Sequence, residues 1–358
     1  MTGTRPPAVD GRRRAEGQFY LPELPRLLPY AYHPKAAQIE FRSNGWVRRF
    51  LADCFADEQE LLKYLRQRNG LYGSLTVPTA DEAHALNVVD FYQFVTVIDD
   101  LAMDPTALGA SQRRLGEEFA RILEDFTAGA EPDPGFPYGC AACDLWRRIG
   151  PGLSPRQADR FSAALRTFLD GTASEFPLRR AGAVPDYASY MTWRPHSFGF
   201  DFMTLLTEYA IGVDMSPFVD EPSLRELHAH GVRQLILVND LLSWRTEHSR
   251  QDTVNALRVL CQHEGLTLQQ TVNRVCRLVE YHERSYLAAR EAVCRGPLGT
   301  RADVRTYLDG LDRLIGGSQE FEYLTPRYFG DGYVWDGATS GWISLAAPVA
   351  RLSEGRQR

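Results

Sequence analysis

Two sets of oxygen-bearing side chains stand about 140 residues apart, each inside a strongly apolar stretch. The first is Asp99-Asp100-Leu101-Ala102-Met103-Asp104, entered through Phe91-Tyr92-Gln93-Phe94-Val95-Thr96-Val97-Ile98. The second is Asn239, Ser243 and Glu247, within Leu237-Val238-Asn239-Asp240-Leu241-Leu242-Ser243-Trp244-Arg245-Thr246-Glu247. On a helix, residues four apart stack on one face, so an amide oxygen, a hydroxyl and a carboxylate line up as one stripe. Hard oxygen donors of this kind suit Mg²⁺ or Mn²⁺ rather than zinc. Charge placed among core residues is costly unless it is paired or holds a metal. Mg²⁺ prefers one or two carboxylates completed by substrate phosphates. Two incomplete oxygen sets on two helices therefore suggest a diphosphate held between them through metal ions.

Each motif has a plainer reading as a solvated polar helix face. Leu235, Ile236, Leu237, Val238, Leu241, Leu242 and Trp244 surround the second motif with apolar residues and argue against it there. The three aspartates of the first motif sit at a helix C-terminus, the unfavourable end of the macrodipole for negative charge, so something cationic should compensate them.

The elements that carry these motifs are helical. Thr79 with Glu82 reads as a capping box opening a long helix through Leu86, Val89, Tyr92, Phe94, Val97 and Ile98, with Pro105 marking its stop. Leu115, Phe119, Ile122, Leu123 and Phe126 outline the next helix. Ser154-Pro155 predicts an N-cap with proline at N1, leading through Phe161, Leu165 and Leu169. Pro222-Ser223 opens the helix of the second motif, which runs to about His248. Thr267 with Gln270 caps a helix through Val272, Val275, Leu278 and Tyr281, and a further one covers Val304 to Ile315. Loops rich in proline and glycine fall at 128–139, 149–156, 180–186 and 295–300, none long enough for a clear domain linker. Alternating strand patterns with hairpin turns are nearly absent. The expectation is an all-α, single-domain protein: a disordered lead-in over 1–18, one helical domain over 19–345 and a C-terminal tail over 346–358.

Composition bounds the function. The 358 residues can bury a large core, and a net charge of −6 gives no electrostatic case for nucleic acid. No stretch approaches the ~20 apolar residues of a membrane span. The first seventeen residues have no apolar signal core. Cys140 and Cys143 form a lone Cys-x-x-Cys with neither a second pair nor a nearby histidine, short of the four ligands of a zinc site. Plain structural cysteines and a cytoplasmic protein are expected.

Taken together the motifs resemble a class I terpene synthase (terpene cyclase) of the bacterial type, most like the sesquiterpene cyclases. Asp99, Asp100 and Asp104 match the family's aspartate-rich motif, and Asn239, Ser243 and Glu247 its metal-binding triad. Arg194, in Arg194-Pro195-His196-Ser197-Phe198-Gly199, fits the diphosphate-sensing arginine some 45 residues before the triad, and Arg327-Tyr328 fits the late Arg-Tyr pair. The match runs over roughly residues 19–330, with the four elements in the family's order.

The resemblance implies the class I terpenoid synthase α-helical bundle with a central cavity, three Mg²⁺ ions and an isoprenyl diphosphate substrate. It implies that Asp99 bridges two metal ions and that Asp100 accepts hydrogen bonds from diphosphate-binding arginines. Asn239, Ser243 and Glu247 take the third metal, while Arg194, Arg327 and Tyr328 donate to the diphosphate. By position Ser197 is the linker and Phe198 the effector whose carbonyl faces the substrate. Phe321, six residues before Arg327, and Tyr92, two helical turns before Asp99, are candidates for the pocket wall, with ordinary core packing as their alternative. Homodimers are common in the family; no stable membrane insertion is expected.

The chain also departs from the family. Three residues separate Asp100 from Asp104 rather than the commoner two, which puts the metal role of Asp104 in doubt. Thr246 stands where a diphosphate-binding lysine usually precedes the triad glutamate, and Arg245 lies ~100° further round the helix, so one phosphate contact is unassigned. An isoprenyl diphosphate synthase on the same fold would need a second aspartate-rich motif and a lysine-rich site, yet lysine occurs only at Lys35 and Lys63. A non-catalytic helical binding protein is the reading from a different class. Farnesyl diphosphate (C15) is the expected substrate, with geranylgeranyl diphosphate (C20) and geranyl diphosphate as alternatives.

Overall fold

In a computed structural model, residues 17–104, 111–128 and 131–353 are described. The site depends on eight helices: α1 (Asn69–Thr76), α2 (Glu82–Met103), α3 (Pro155–Ala181), α4 (Tyr187–Phe198), α5 (Phe200–Ile211), α6 (Pro222–Ser249), α7 (Ala302–Leu324) and the single turn α8 (Pro326–Phe329). Six of them pack in a closed ring: α2 on α1, α1 on α7, α7 on α6, α6 on α4, α4 on α3, and α3 back on α2. α5 touches α2, α3, α4 and α7, adding a further wall to the space the ring encloses. This is an all-α arrangement around a central space, as the helical periodicity leads one to expect.

Both motif-bearing helices are apolar nearly all round, as ring members must be. In α2, Val88, Val89, Phe91, Phe94, Val97 and Ile98 are buried. In α6, Leu235, Ile236, Leu237, Val238, Leu241, Leu242 and Trp244 are buried. The ring closes tightly because glycine lets backbones touch. A Cβ on Gly317 of α7 would lie 2.2 Å from the Leu75 carbonyl oxygen of α1, and one on Gly73 of α1 would lie 2.9 Å from the Val89 Cα of α2.

Local signals set most boundaries. The capping boxes Ser154–Gln157 and Thr267–Gln270 form as the sequence indicates. The one expected at Thr79–Glu82 does not: Asp81 caps α2, its Oδ1 accepting from the backbone N–H of Ala83 at 2.9 Å and His84 at 3.0 Å. An aspartate directly before the first helical turn is an equally good N-cap, and the chain uses it. Pro105 lies outside the described residues. α7 runs nine residues beyond the expected end at Ile315; Gly316 and Gly317 there serve close packing rather than chain reversal.

One feature has no local signal. β1 (Gln18–Leu21) pairs antiparallel with β2 (Gly341–Ser344), Phe19 opposite Ile343 and Leu21 opposite Gly341. Ser353 adds an antiparallel bridge to Trp342, and Ala350 and Leu352 in the C-terminal tail are buried. All six cysteines are free thiols. No described helix is long and apolar enough to cross a membrane.

Candidate active site

The ring surrounds a cavity of about 560 Å³, within the ~300–1,000 Å³ typical of small-molecule sites. Its lining joins residues far apart in sequence: Asp99 from α2, Arg194, Ser197 and Phe198 from α4, Asn239, Ser243 and Glu247 from α6, Phe321 from α7, and Arg327 and Tyr328 from α8. Tyr92 also lines it. Of the thirteen sequence-derived residues, Asp100 and Asp104 are absent from the lining. Asp100 is turned to Arg327, whose Nη1 and Nη2 donate to its two oxygens at 2.9 and 2.7 Å. Asp104 falls past the last helical residue, Met103, with extended backbone (φ −83°, ψ 107°), and is exposed. The longer spacing to the third aspartate carries it off the end of the helix, so the structure does not bring it to the cavity.

Asn239 is held by its amide nitrogen. Nδ2 donates to Glu322 Oε1 at 3.1 Å and to the Tyr328 hydroxyl at 3.0 Å. Both N–H bonds are thus engaged, leaving Oδ1 as the group the residue offers. Glu247 Oε2 accepts from Asn255 Nδ2 at 2.8 Å. Ser243 is fully buried; its Oγ makes no hydrogen bond of ordinary geometry and has the Glu247 carboxyl as its polar neighbour, an under-satisfied hydroxyl of a kind native interiors rarely keep.

The electrostatics point the same way. Burial, reinforced by Asp252 and Asp240, pushes the Glu247 carboxyl up to about 8. Burial pushes Glu322 up to about 8 as well, against the Asn239 hydrogen bond. Asp240 is raised to about 6 by burial, opposed by Arg194, and Asp99 is raised by burial, opposed by Arg327. Asp99, Glu247 and Glu322 line the cavity, with Asp240 behind them bonded to the Tyr190 hydroxyl and the Ala256 N–H, and this group of carboxyls is short of positive charge. Added divalent cations would supply it, and Asn239 Oδ1, Ser243 Oγ and Glu247 form a suitable hard-oxygen set. Among the described residues no three His, Cys, Asp or Glu side chains form a metal cage by themselves.

Arg194 is held by Glu175 Oε1 at 3.4 Å and by Ser197 Oγ at 3.2 Å; its Nε is buried without a partner. Gly199, at φ +79°, breaks the chain between α4 and α5 directly after Phe198. A Cβ there would lie 2.0 Å from the Phe202 ring, so the break requires glycine both for its backbone and for space.

Several functional-looking residues escaped sequence reasoning. Glu175 and Arg179 on α3 form a 2.8 Å ion pair, and Arg179 Nε donates to both Asp252 oxygens at 3.2 Å. Glu175 thereby links Arg194 to Arg179. Their i, i+4 spacing was a readable signal, but salt-bridged helix faces are common. Tyr72, Phe168 and Phe202 complete the aromatic wall. Tyr72 meets Tyr92 edge-on at 4.7 Å and Phe321 at 5.1 Å, and Phe168 meets Phe202 edge-on at 5.3 Å. Arg245 donates to the backbone carbonyls of Tyr328, Ala347 and Pro348. Thr246 Oγ1 donates to the carbonyls of Arg327 at 3.1 Å and Tyr328 at 3.2 Å.

The family model described as terpene synthase family 2, C-terminal metal binding, matches residues 90–285, the stretch holding Asp99, Arg194 and the Asn239 triad. The chain belongs to the terpene synthase family. Microbial terpene synthase-like protein 13 of Selaginella moellendorffii is 28% identical over 306 residues, covering 84% of this chain and 85% of that protein. Sesquiterpene synthase Agr3 of Cyclocybe aegerita is 27% identical over 334 residues, covering 87% and 89%. The solved structure of the ancestral protein SVS_A2 superposes with a TM-score of 0.76 at 25% identity, covering 89% of this chain and 93% of that one. This terpene synthase thus shares both the ring of helices and the family's metal-binding region.

Proposed function

We propose that this terpene synthase is a Mg²⁺-dependent cyclase. It ionises a linear isoprenyl diphosphate, farnesyl diphosphate first among the candidates, and cyclises the resulting carbocation to a sesquiterpene hydrocarbon or alcohol with release of diphosphate. The observation that carries the reading is that Asp99 and the Asn239–Ser243–Glu247 stripe line one cavity together with Arg194 and Arg327 and with the rings of Tyr72, Tyr92, Phe168, Phe202 and Phe321. Diphosphate chemistry belongs at the polar mouth and hydrocarbon chemistry in the apolar depth.

Three Mg²⁺ ions, held by Asp99 and by the Asn239 triad together with substrate oxygens, would supply electrostatic stabilisation of the departing diphosphate. Arg194, Arg327 and Tyr328 donate hydrogen bonds to the same group, arginine through its planar, always-charged fork. Ser197 ties Arg194 to the helix break, and the Phe198 carbonyl faces the allylic carbon. Tyr72, Tyr92, Phe168, Phe202 and Phe321 shape the chain and steady positive charge by cation–π attraction, worth ~0.5–2 kcal/mol for each ring. Water must be excluded while the cation exists. Leu345 and Pro348 at the mouth, with Arg245 bonded to the Ala347 and Pro348 carbonyls, serve that end. A sesquiterpene synthase among the relatives supports the C15 substrate.

The test is incubation of purified protein with C10, C15 and C20 diphosphates, with and without Mg²⁺, followed by mass spectrometry of extracts and diphosphate assay. A cyclic C15 product made only with Mg²⁺ is expected. Condensation of two precursors into a longer diphosphate, or no diphosphate release from any substrate, would overturn the reading.

A further inference from the structure

Six basic side chains reach the cavity lining: Lys63, Arg179, Arg194, Arg245, Arg250 and Arg327. Four are already committed by ion pairs or hydrogen bonds. Arg179 is paired with Glu175 and Asp252, Arg194 with Glu175 and Arg327 with Asp100. Arg245 is spent on three backbone carbonyls. Among the described residues, Lys63 and Arg250 are the two cations of this set with no ion pair, side-chain hydrogen bond or ring contact, and of the two only Lys63 sits in the field of a carboxylate, Asp331.

The position of Arg250 is built. It is the C-cap of α6, its backbone N–H donating to the Glu247 carbonyl at 3.1 Å and the Thr246 carbonyl at 3.2 Å. The chain then reverses through Gln251 in the left-handed region (φ +57°). Gln251 N–H reaches the His248 carbonyl at 3.1 Å and Asp252 N–H the Glu247 carbonyl at 2.9 Å, the crossed pair of a Schellman cap. Asp252 is thereby returned to Arg179. Helical side chains lean over the preceding turn, so Arg250 overlies Thr246, four residues earlier on the same face, and Glu247 beside it. A cation at a helix C-terminus is also favoured by the macrodipole, so nothing local needs to neutralise it.

The Thr246 hydroxyl proton and both Nη groups of Arg245 are held by backbone carbonyls, which leaves Arg245 only its buried Nε and no two-pronged fork for a phosphate. We propose that Arg250 fills this gap: it is a substrate-binding residue whose free guanidinium closes over the diphosphate at the cavity mouth. The inference rests on the diphosphate reading of the site given above. Exposure keeps the desolvation cost of Arg250 low, and its two-pronged donor geometry matches a phosphate edge.

The test uses inorganic diphosphate with Mg²⁺ as probe, titrated calorimetrically into the full-length protein and three variants. Arg250→Gln should weaken binding about tenfold, the range of a lost charge-assisted hydrogen bond. Arg250→Lys, which keeps the charge but loses the fork, should fall between the two. Arg225→Gln, at an exposed residue of the same helix outside the cavity lining, should bind as wild type. With the preferred substrate, Arg250→Gln should raise KM by a similar factor and change kcat less. Its melting temperature should be unaltered, because the side chain holds nothing in the fold. Wild-type affinity in Arg250→Gln, or equal weakening in Arg225→Gln, would overturn the assignment of Arg250 alone. A wild-type protein that fails to bind diphosphate with Mg²⁺ would overturn the reading of the whole site.

Discussion

Arg327 closes its guanidinium on both carboxylate oxygens of Asp100, at 2.7 and 2.9 Å, across 227 residues of sequence. Asp99 lies beside the pair, its Oδ2 3.7 Å from the same Nη2. The cation that the acidic end of α2 requires is therefore the arginine of the late Arg-Tyr pair, and the fork that grips Asp100 is the one assigned to the diphosphate. Lysine preserves the charge but not the bidentate geometry. Arg327→Lys should lower kcat/KM by roughly 10–100-fold, the scale of a lost charge-assisted pair. Asp100→Asn should lower it less, and the double variant should fall short of the product of the two. Strict additivity in steady-state kinetics would show that the pair is structural and uncoupled from substrate.

The two donors of Asn239 Nδ2 end on Glu322 and Tyr328. That arrangement turns the amide oxygen to the cavity and makes Glu322 the group that orients it. Asn239→Ala should abolish turnover while circular dichroism and melting temperature stay native. Glu322→Ala should leave the ligand in place but loosen it, costing on the order of 10–100-fold in Mg²⁺ dependence, as removal of outer-shell partners does. Mn²⁺ binding in the presence of inorganic diphosphate, followed by electron paramagnetic resonance, reads this apart from catalysis. Unchanged Mn²⁺ affinity in both variants would refute the ligand assignment.

Local chemistry made some of this legible and not the rest. Asn239, Ser243 and Glu247 stand out because i, i+4 spacing survives folding unchanged: a helix puts them on one face wherever it packs. Asp104 shows the limit. One added residue decides whether a side chain lies on the helix or past its end, and that depends on where α2 stops. Asp81 could be confused with Thr79 for the same reason, since two competent caps stand two residues apart. Glu175, Asp252 and Glu322 act through partners 19 to 83 residues away, and no periodicity encodes such pairs. The β1–β2 pairing joins the two ends of the chain, and its four-residue strands are too short to show alternation against a helical background. Gly316 and Gly317 resemble breakers in sequence. Only the carbonyls of Pro29 and Leu75 against them show that the helix needs their missing side chains.

Tyr72 stands edge-on to both Tyr92 and Phe321, so three rings from α1, α2 and α7 form one contiguous face of the cavity. A cation held against that face is both steadied and confined. Phe321→Leu removes the π face while keeping an apolar side chain, and Phe321→Ala also opens space. Both variants should release diphosphate at rates within about tenfold of wild type, since a single cation–π contact is worth ~0.5–2 kcal/mol. Gas chromatography with mass spectrometry should show the cyclic product giving way to acyclic or early-quenched products, more so for alanine. An unaltered product profile in Phe321→Ala would remove this ring from the pocket wall.

His228 sets an acid limit on stability that is separate from the chemistry. Its Nε2 shares a hydrogen bond with the Tyr307 hydroxyl at 2.9 Å, and its ring stands edge-on to Phe200 and Tyr307. Burial, with a smaller contribution from Arg160, lowers its pKa from the usual 6.5 to about 4. Between those values the unfolded chain binds a proton that the folded protein refuses. The slope of unfolding free energy against pH is then positive: stability is complete above about pH 6.5 and declines as pH falls toward 4, by up to ~3 kcal/mol from this group at 1.36 kcal/mol for each unit. His228→Gln keeps a hydrogen-bonding partner for Tyr307, since an amide both donates and accepts, and removes the titration. Urea denaturation at pH 7.5, 6.0 and 5.0 should show wild type losing stability over this range and the variant losing less, even if it starts lower through poorer packing. Parallel slopes in the two proteins would mean that His228 carries no proton linkage.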